Sequence, residues 1–251
     1  MKTLLQQKRS RRTGILIGAG TIIAAAVIAI AVYLGTYYHA SAEAMAVLTD
    51  SEEAVTIEEF PGQRIAFVPD APIAGLIFYP GGKVQYEAYA PLLEECASRG
   101  ILCVLVHMPG NLAVLDRDAA DGIMDLYPEI EDWYIGGHSL GGAMAASYAA
   151  THADEYEGLI LLAAYSTEDL RGSGLRALTV YGTEDGVLNR EKYEAALANL
   201  PEGYTKIVID GGCHAYFGSY GEQSGDWAPT ISAEEQIGET VDAIASMVIN
   251  G

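Results

Sequence analysis

The chain has 251 residues, 50% of them hydrophobic, and a formal net charge of −20. That is enough apolar material for one globular domain plus a short additional segment. Three cysteines are too few and too odd in number for a disulfide framework, no cysteine–histidine spacing suits zinc, and so strong an acidic excess excludes electrostatic binding of nucleic acid.

Residues 1–13 form a basic tail containing Lys2, Lys8, Arg9, Arg11 and Arg12. The next run, "GILIGAGTIIAAAVIAIAVYLG" at 14–35, carries no charge. A helix of that length, at about 1.5 Å per residue, spans a hydrocarbon core. A transmembrane anchor over 14–38 is therefore expected, with the tail in the cytoplasm and everything after the span outside it. Ala40-Ser41-Ala42 also fits a signal-peptide cleavage site, which would make the remainder a secreted protein; the length of the apolar run favours the anchor. All 34 acidic residues follow the span with only nine of the 14 basic ones, so the exported part carries −25. Solubility is the simplest use of that charge.

The acidic, weakly patterned stretch 39–59 reads as a stalk. From 60 to 251 strands and helices alternate. Strand-like apolar runs fall at 64–68, 73–79, 101–107, 133–135, 158–164, 177–181 and 205–210, and helix-like stretches near 86–99, 118–127, 141–152, 190–200 and 233–250. Continuous apolar strands separated by helices predict an α/β domain with a doubly wound, mostly parallel sheet flanked by helices. Function is expected in the loops at the carboxyl ends of the strands. Cys96 and Cys103 pair only if a helix end meets the following strand; otherwise both are buried free thiols.

Gly137-His138-Ser139-Leu140-Gly141 fits G-x-S-x-G and lies between a predicted strand and a predicted helix, the setting of a nucleophile elbow. In such a turn the serine is strained and its hydroxyl stands clear of the sheet, while side chains at the flanking glycines would collide with neighbouring backbone. The hydroxyl then needs a base, and the base an orienting acid. His39 lies in the stalk, His152 ends a helix, His138 adjoins the serine and His107 ends a strand. His214 sits in a glycine-flanked loop after a strand and is the candidate base. Asp185, in the loop of the preceding strand, is the candidate acid, with Glu184 as the alternative and Asp210 as a structural neighbour. The order Ser139, Asp185, His214 suits this kind of hydrolase. Oxyanion donors would be the backbone N–H of Leu140, at a helix start, and that of Gly82 or Lys83 in "PGGKV".

The segments "FYPGGKV", "MPGNLAVL", "GGHSLGGAMAA", "YGTEDGV" and "GGCHAYFGSYGEQSGD", in that order, resemble the alpha/beta-hydrolase superfamily. The likeness is strongest to small membrane-anchored bacterial members of its dienelactone-hydrolase-like branch (alpha/beta hydrolase fold-5 type). It covers residues from about 60 to the end, and implies Ser139 as nucleophile, Asp185 as acid and His214 as base. Serine stands where dienelactone hydrolases proper use cysteine, so their substrate is not implied. Cys213 replaces the asparagine common before the histidine. Only twelve residues, 165–176, separate the strand after the elbow helix from the strand leading to the acid, which leaves no room for a large cap. The loop 214–230, with Tyr216, Phe217, Tyr220 and Trp227, either walls the pocket or packs locally.

The expectation is a membrane-anchored, extracytoplasmic serine hydrolase of a small-molecule ester, working through an acyl-enzyme without metal or organic cofactor. Acyl transfer by the same residues and a noncatalytic surface binding protein are the alternatives.

Overall fold

The computed structural model describes residues 22–50, 54–62 and 64–249. It divides into two compact units, 1–37 and 38–251. The described part of the first is a helix, α1, over 22–35, with apolar side chains such as Ile22, Val27 and Ile30 exposed. The basic tail and the first part of the expected span, 14–21, lie outside the described residues. Among the described residues no helix is long and apolar enough to cross a membrane.

The second unit is an eight-stranded sheet: β1 (Val55–Phe60), β2 (Arg64–Pro69), β3 (Ala74–Tyr79), β4 (Ile101–Leu105), β5 (Trp133–His138), β6 (Gly158–Leu162), β7 (Arg176–Gly182) and β8 (Thr205–Ile209), in the order β1-β2-β4-β3-β5-β6-β7-β8. From β4 to β8 across the sheet every pairing is parallel, and β1 and β2 add an antiparallel edge. Each central strand is buried on both faces because alternate residues enter opposite cores. Leu76 and Phe78 of β3 pack with helices α3 (Ala90–Ser98) and α6 (Ala233–Ile249), whereas Ile77 and Tyr79 pack with α4 (Leu140–Ala149). Continuous apolar strands were the signature of this double burial. Outside these lies α5 (Arg190–Ala196), started by Asn189, whose side chain accepts the N–H of Lys192.

Three expectations fail. The expected span does not run to residue 38: α1 ends at 35, and Tyr38 belongs to the second unit, bonded to Lys83 and Gln85. Residues 39–59 are no stalk. They include a helix, α2 (Ala42–Val47), capped by the Ser41 side chain on the N–H of Ala44, and most of β1, which pairs with β2. The alternation of Val55 and Ile57 with polar residues was too brief to stand out from the acidic background. The helix expected at 118–127 is replaced by turns and a single 3-10 turn at Met124–Leu126, because Gly122 takes a positive φ of 70° in its middle. The three cysteines are free and buried.

Candidate active site

Ser139 joins β5 to α4 with φ 51° and ψ −121°, a conformation that costs a non-glycine residue on the order of 1–3 kcal/mol. The turn is held by its N–H, which donates to the Leu162 carbonyl of β6 at 2.9 Å. Glycine is required on both sides. A Cβ at Gly137 would strike the Tyr79 carbonyl oxygen, and one at Gly141 would strike the carbonyl oxygens of Tyr79 and Pro80. The elbow therefore closes directly over the end of β3.

Asp185 follows β7 in a tight turn. Its Oδ1 accepts the N–H groups of Val187 at 2.9 Å and Leu188 at 2.7 Å, and its Oδ2 accepts from His214 Nδ1 at 2.9 Å. Both side chains are essentially inaccessible, each residue being 1% exposed. A carboxylate on Nδ1 fixes the proton there and leaves the Nε2 lone pair free to act as a base. Among the described residues His214 Nε2 has no hydrogen-bond partner. Ser139 and His214 line one cavity of about 290 Å³, together with Leu140, Ala163, Val187 and Leu188. The two side chains thus share a cavity without a hydrogen bond between them, and such bonds commonly tighten only when substrate binds. Arg190 braces the acid's loop: its guanidinium donates to the carbonyls of Gly182 and Thr183 at 2.9 and 3.0 Å, and lies over the Tyr181 ring.

The other candidates lie elsewhere. Glu184 accepts from the Thr183 hydroxyl at 3.3 Å, and Asp210 from the same hydroxyl at 3.5 Å. His107 packs edge-on against Tyr86, and His152 stacks on Tyr148.

In the loop after β3, Lys83 spends its N–H on the Asn111 carbonyl at 2.7 Å and adopts a φ of 64°. The N–H groups of Gly82 and Leu140 have no acceptor among the described residues. These two residues are adjacent: a Cβ built on Gly82 would stand 2.8 Å from the Leu140 side chain. Of the two residues considered in this loop, Gly82 therefore keeps a donor and Lys83 does not.

Three supporting features carry no motif, and sequence reasoning passed over them. Tyr89 is buried, accepts the Gly81 N–H at 2.9 Å, and hydrogen-bonds His138 Nδ1 at 2.8 Å. Having accepted the amide proton, the phenol still holds one to donate; giving it to Nδ1 makes His138 the neutral Nε2–H tautomer, whose Nε2 has no partner among the described residues. Burial, with the neighbouring His214 ring 4.6 Å away between centroids, holds His138 well below the usual histidine range. Burial likewise raises the Tyr89 phenol.

Asp226 is the second. Its Oδ1 accepts the N–H of Gly186 at 3.0 Å and its Oδ2 the N–H of Ala215 at 2.8 Å, so one carboxylate joins the residue after the acid to the residue after the histidine. The third is the segment from Tyr38 to Ser41. Tyr38 donates its N–H to the Lys83 carbonyl at 2.7 Å and accepts from Gln85 N–H at 2.8 Å. The only signal for any of these was an unexplained polar or aromatic residue in a loop or short segment near the carboxyl edge of the sheet.

Cys213 is tied to α6 by Gln236, which accepts its N–H at 2.9 Å and donates to its carbonyl at 2.8 Å. Burial, then the nearby Asp226 charge, pushes its thiol up to about 12. Among the described residues no group of three or more His, Cys, Asp or Glu side chains could hold a metal ion.

A model of the alpha/beta hydrolase family matches residues 75–238. No curated protein matches the chain in sequence. Among solved structures, the dienelactone hydrolase from Anabaena variabilis superposes with a TM-score of 0.56 at 14% identity, covering 76% of this chain and 98% of that one. Carboxyl esterase 2 from Tuber melanosporum gives 0.55 at 12% identity over 82% of this chain and 91% of its own. The monoacylglycerol lipase from Paleococcus ferrophilus gives 0.57 at 14% identity over 76% and 99%. At these identities the likeness is one of fold.

Proposed function

Because the chain belongs to the alpha/beta hydrolase family, we propose that it is a serine hydrolase of carboxylic esters, held at the outer face of a membrane by its N-terminal apolar helix. The observation that carries the reading is the buried Asp185–His214 pair, which shares a cavity with the strained Ser139. Esterase and lipase folds among the structural neighbours support an ester as substrate.

His214 Nε2 takes the Ser139 proton as Oγ attacks the ester carbonyl, and Asp185 stabilises the imidazolium that forms. The carbonyl oxygen becomes an oxyanion between the N–H groups of Leu140 and Gly82, the first of which opens α4 and adds its helix dipole. His214 then protonates the departing alcohol, and a water activated by the same nitrogen releases the acid from Ser139. The Tyr89–His138 pair fixes the loop that offers Gly82 relative to the elbow.

A fluorophosphonate probe tests this. Wild-type protein should be labelled, while Ser139→Ala and His214→Ala should not. A folded but unlabelled wild type would overturn the hydrolase in favour of a binding protein. Carbonate washing of membranes tests the anchor: the full chain should stay in the pellet, and a chain lacking residues 1–37 should not.

A further inference from the structure

We propose that this hydrolase acts on esters that reside in the bilayer holding it, because the segment that follows its anchor is built into the rim of its site. The proposal rests on the hydrolase and anchor readings above and adds a substrate class to them.

The segment is fixed at both sides of the catalytic edge. Beyond its bonds to the loop after β3, Tyr38 accepts the Ser224 N–H on its phenol at 3.0 Å, and its ring lies 5.6 Å from that of Tyr220. Ser41 donates its N–H to the Ser219 carbonyl at 2.8 Å, and the two serine hydroxyls are 2.7 Å apart. Residues 38–41 therefore strap the loop carrying Gly82 to the loop carrying His214.

No slack separates this strap from the apolar run. Gly35 is three residues before Tyr38, and three Cα steps reach no more than about 11 Å, whatever directions the chain takes. One headgroup layer is itself about 5–8 Å thick. A flexible stalk of about 20 residues would have given the domain a long tether; the docked strap leaves only residues 36 and 37 between the apolar helix and Tyr38.

The carboxyl edge also carries apolar surface suited to that position. Leu115 and Trp227, both 57% exposed, stand with Val114 and Val187 on the loops after β4, β7 and β8. Tryptophan suits the boundary between headgroups and acyl chains. A domain charge of −25 gains nothing from anionic headgroups, so attachment falls to the helix and this apolar rim. Only residues 163–175 join β6 to β7, so that connection holds no large cap over Ser139.

The test uses the full chain in phosphatidylcholine vesicles containing a fluorogenic diacylglycerol, with a water-soluble acetate ester as reference. A Gly/Ser insert of about 20 residues between Thr36 and Tyr37 has a root-mean-square span of about 25 Å and should free the site from the surface. The insert should leave the acetate rate unchanged and lower the bilayer rate about ten-fold, since effective concentration falls with tether length. Equal bilayer rates with and without the insert would overturn the proposal, as would a parent that cleaves acetate and ignores the diacylglycerol. Failure on both esters would instead overturn the hydrolase reading, and extraction of the parent by carbonate the anchor; either would overturn the proposal with its premise.

Discussion

Asp226→Ala should weaken both the fold and the catalysis, in amounts that the geometry allows to be stated. The carboxylate accepts N–H groups from Gly186, Trp227 and Ala215. A hydrogen bond to a charged acceptor contributes about 1.5–3 kcal/mol, less where water can replace the acceptor. Ala215 is 1% exposed, so its N–H loses the full amount on truncation, whereas Gly186 is only partly buried and the Trp227 N–H keeps the Glu184 carbonyl at 3.3 Å. The expected loss is about 3 kcal/mol in a urea titration, with unchanged slope. Releasing the two loops also lets His214 drift from Asp185, and a misplacement of about 1 Å costs on the order of 100-fold in rate. kcat on a soluble ester should fall by that order with little change in KM. Asp226→Asn keeps one acceptor oxygen and should show about half the stability loss. Glu222→Ala, in the same loop, is the control. Stability within about 0.5 kcal/mol of wild type in Asp226→Ala would refute the clasp; lost stability with full kcat would leave it a structural tie only.

Three further outcomes are expected. His138 is held neutral by burial, so below a pH of about 6.5 the unfolded chain takes up a proton that the folded one refuses. Stability should then fall by about 1.4 kcal/mol per pH unit. The paired change His138→Leu with Tyr89→Phe removes both polar partners and should flatten that part of a urea-midpoint profile; an unchanged slope would assign the acid sensitivity elsewhere. Ser139→Gly should gain about 1 kcal/mol over Ser139→Ala, since only glycine relieves the backbone strain, and equal melting curves would contradict it. Removing residues 1–37 should leave a folded, active domain, whereas removing 1–41 should cut kcat by freeing the loops that carry Gly82 and His214; identical activity would show that the strap is dispensable.

The fold was legible wherever the signal was local. Apolar runs of strand length and small-residue helices located the central sheet, and the glycines around Ser139 marked the one turn where backbone approaches too closely for side chains. The order of Ser139, Asp185 and His214 suggested a site because each falls in a loop at the same edge. What escaped was set by tertiary partners. Val55–Phe60 becomes a strand only through pairing with β2. Residues 118–127 have helical composition, yet Gly122 turns the chain so that Ala120 and Ile123 enter the core instead. The choice between Gly82 and Lys83 depended on Asn111, whose carbonyl takes one of the two amide protons. No periodicity in the chain announces that Asp226 would take N–H groups from two different loops.

The partners of the strap have a consequence for how the chain reaches its native state. Tyr38 waits for Ser224, and Ser41 for Ser219, 178 residues further along. These are among the most distant contacts in the protein, and closing such a separation is slow compared with forming local helices. While the chain is being made, Tyr38 can meet Lys83 and Gln85 early, but Ser219 and Ser224 emerge only near the end. The carboxyl edge of the sheet is thus among the last parts to mature, and an incompletely synthesised chain carries the Ser139 turn before residues 38–41 have closed against the loop that holds His214.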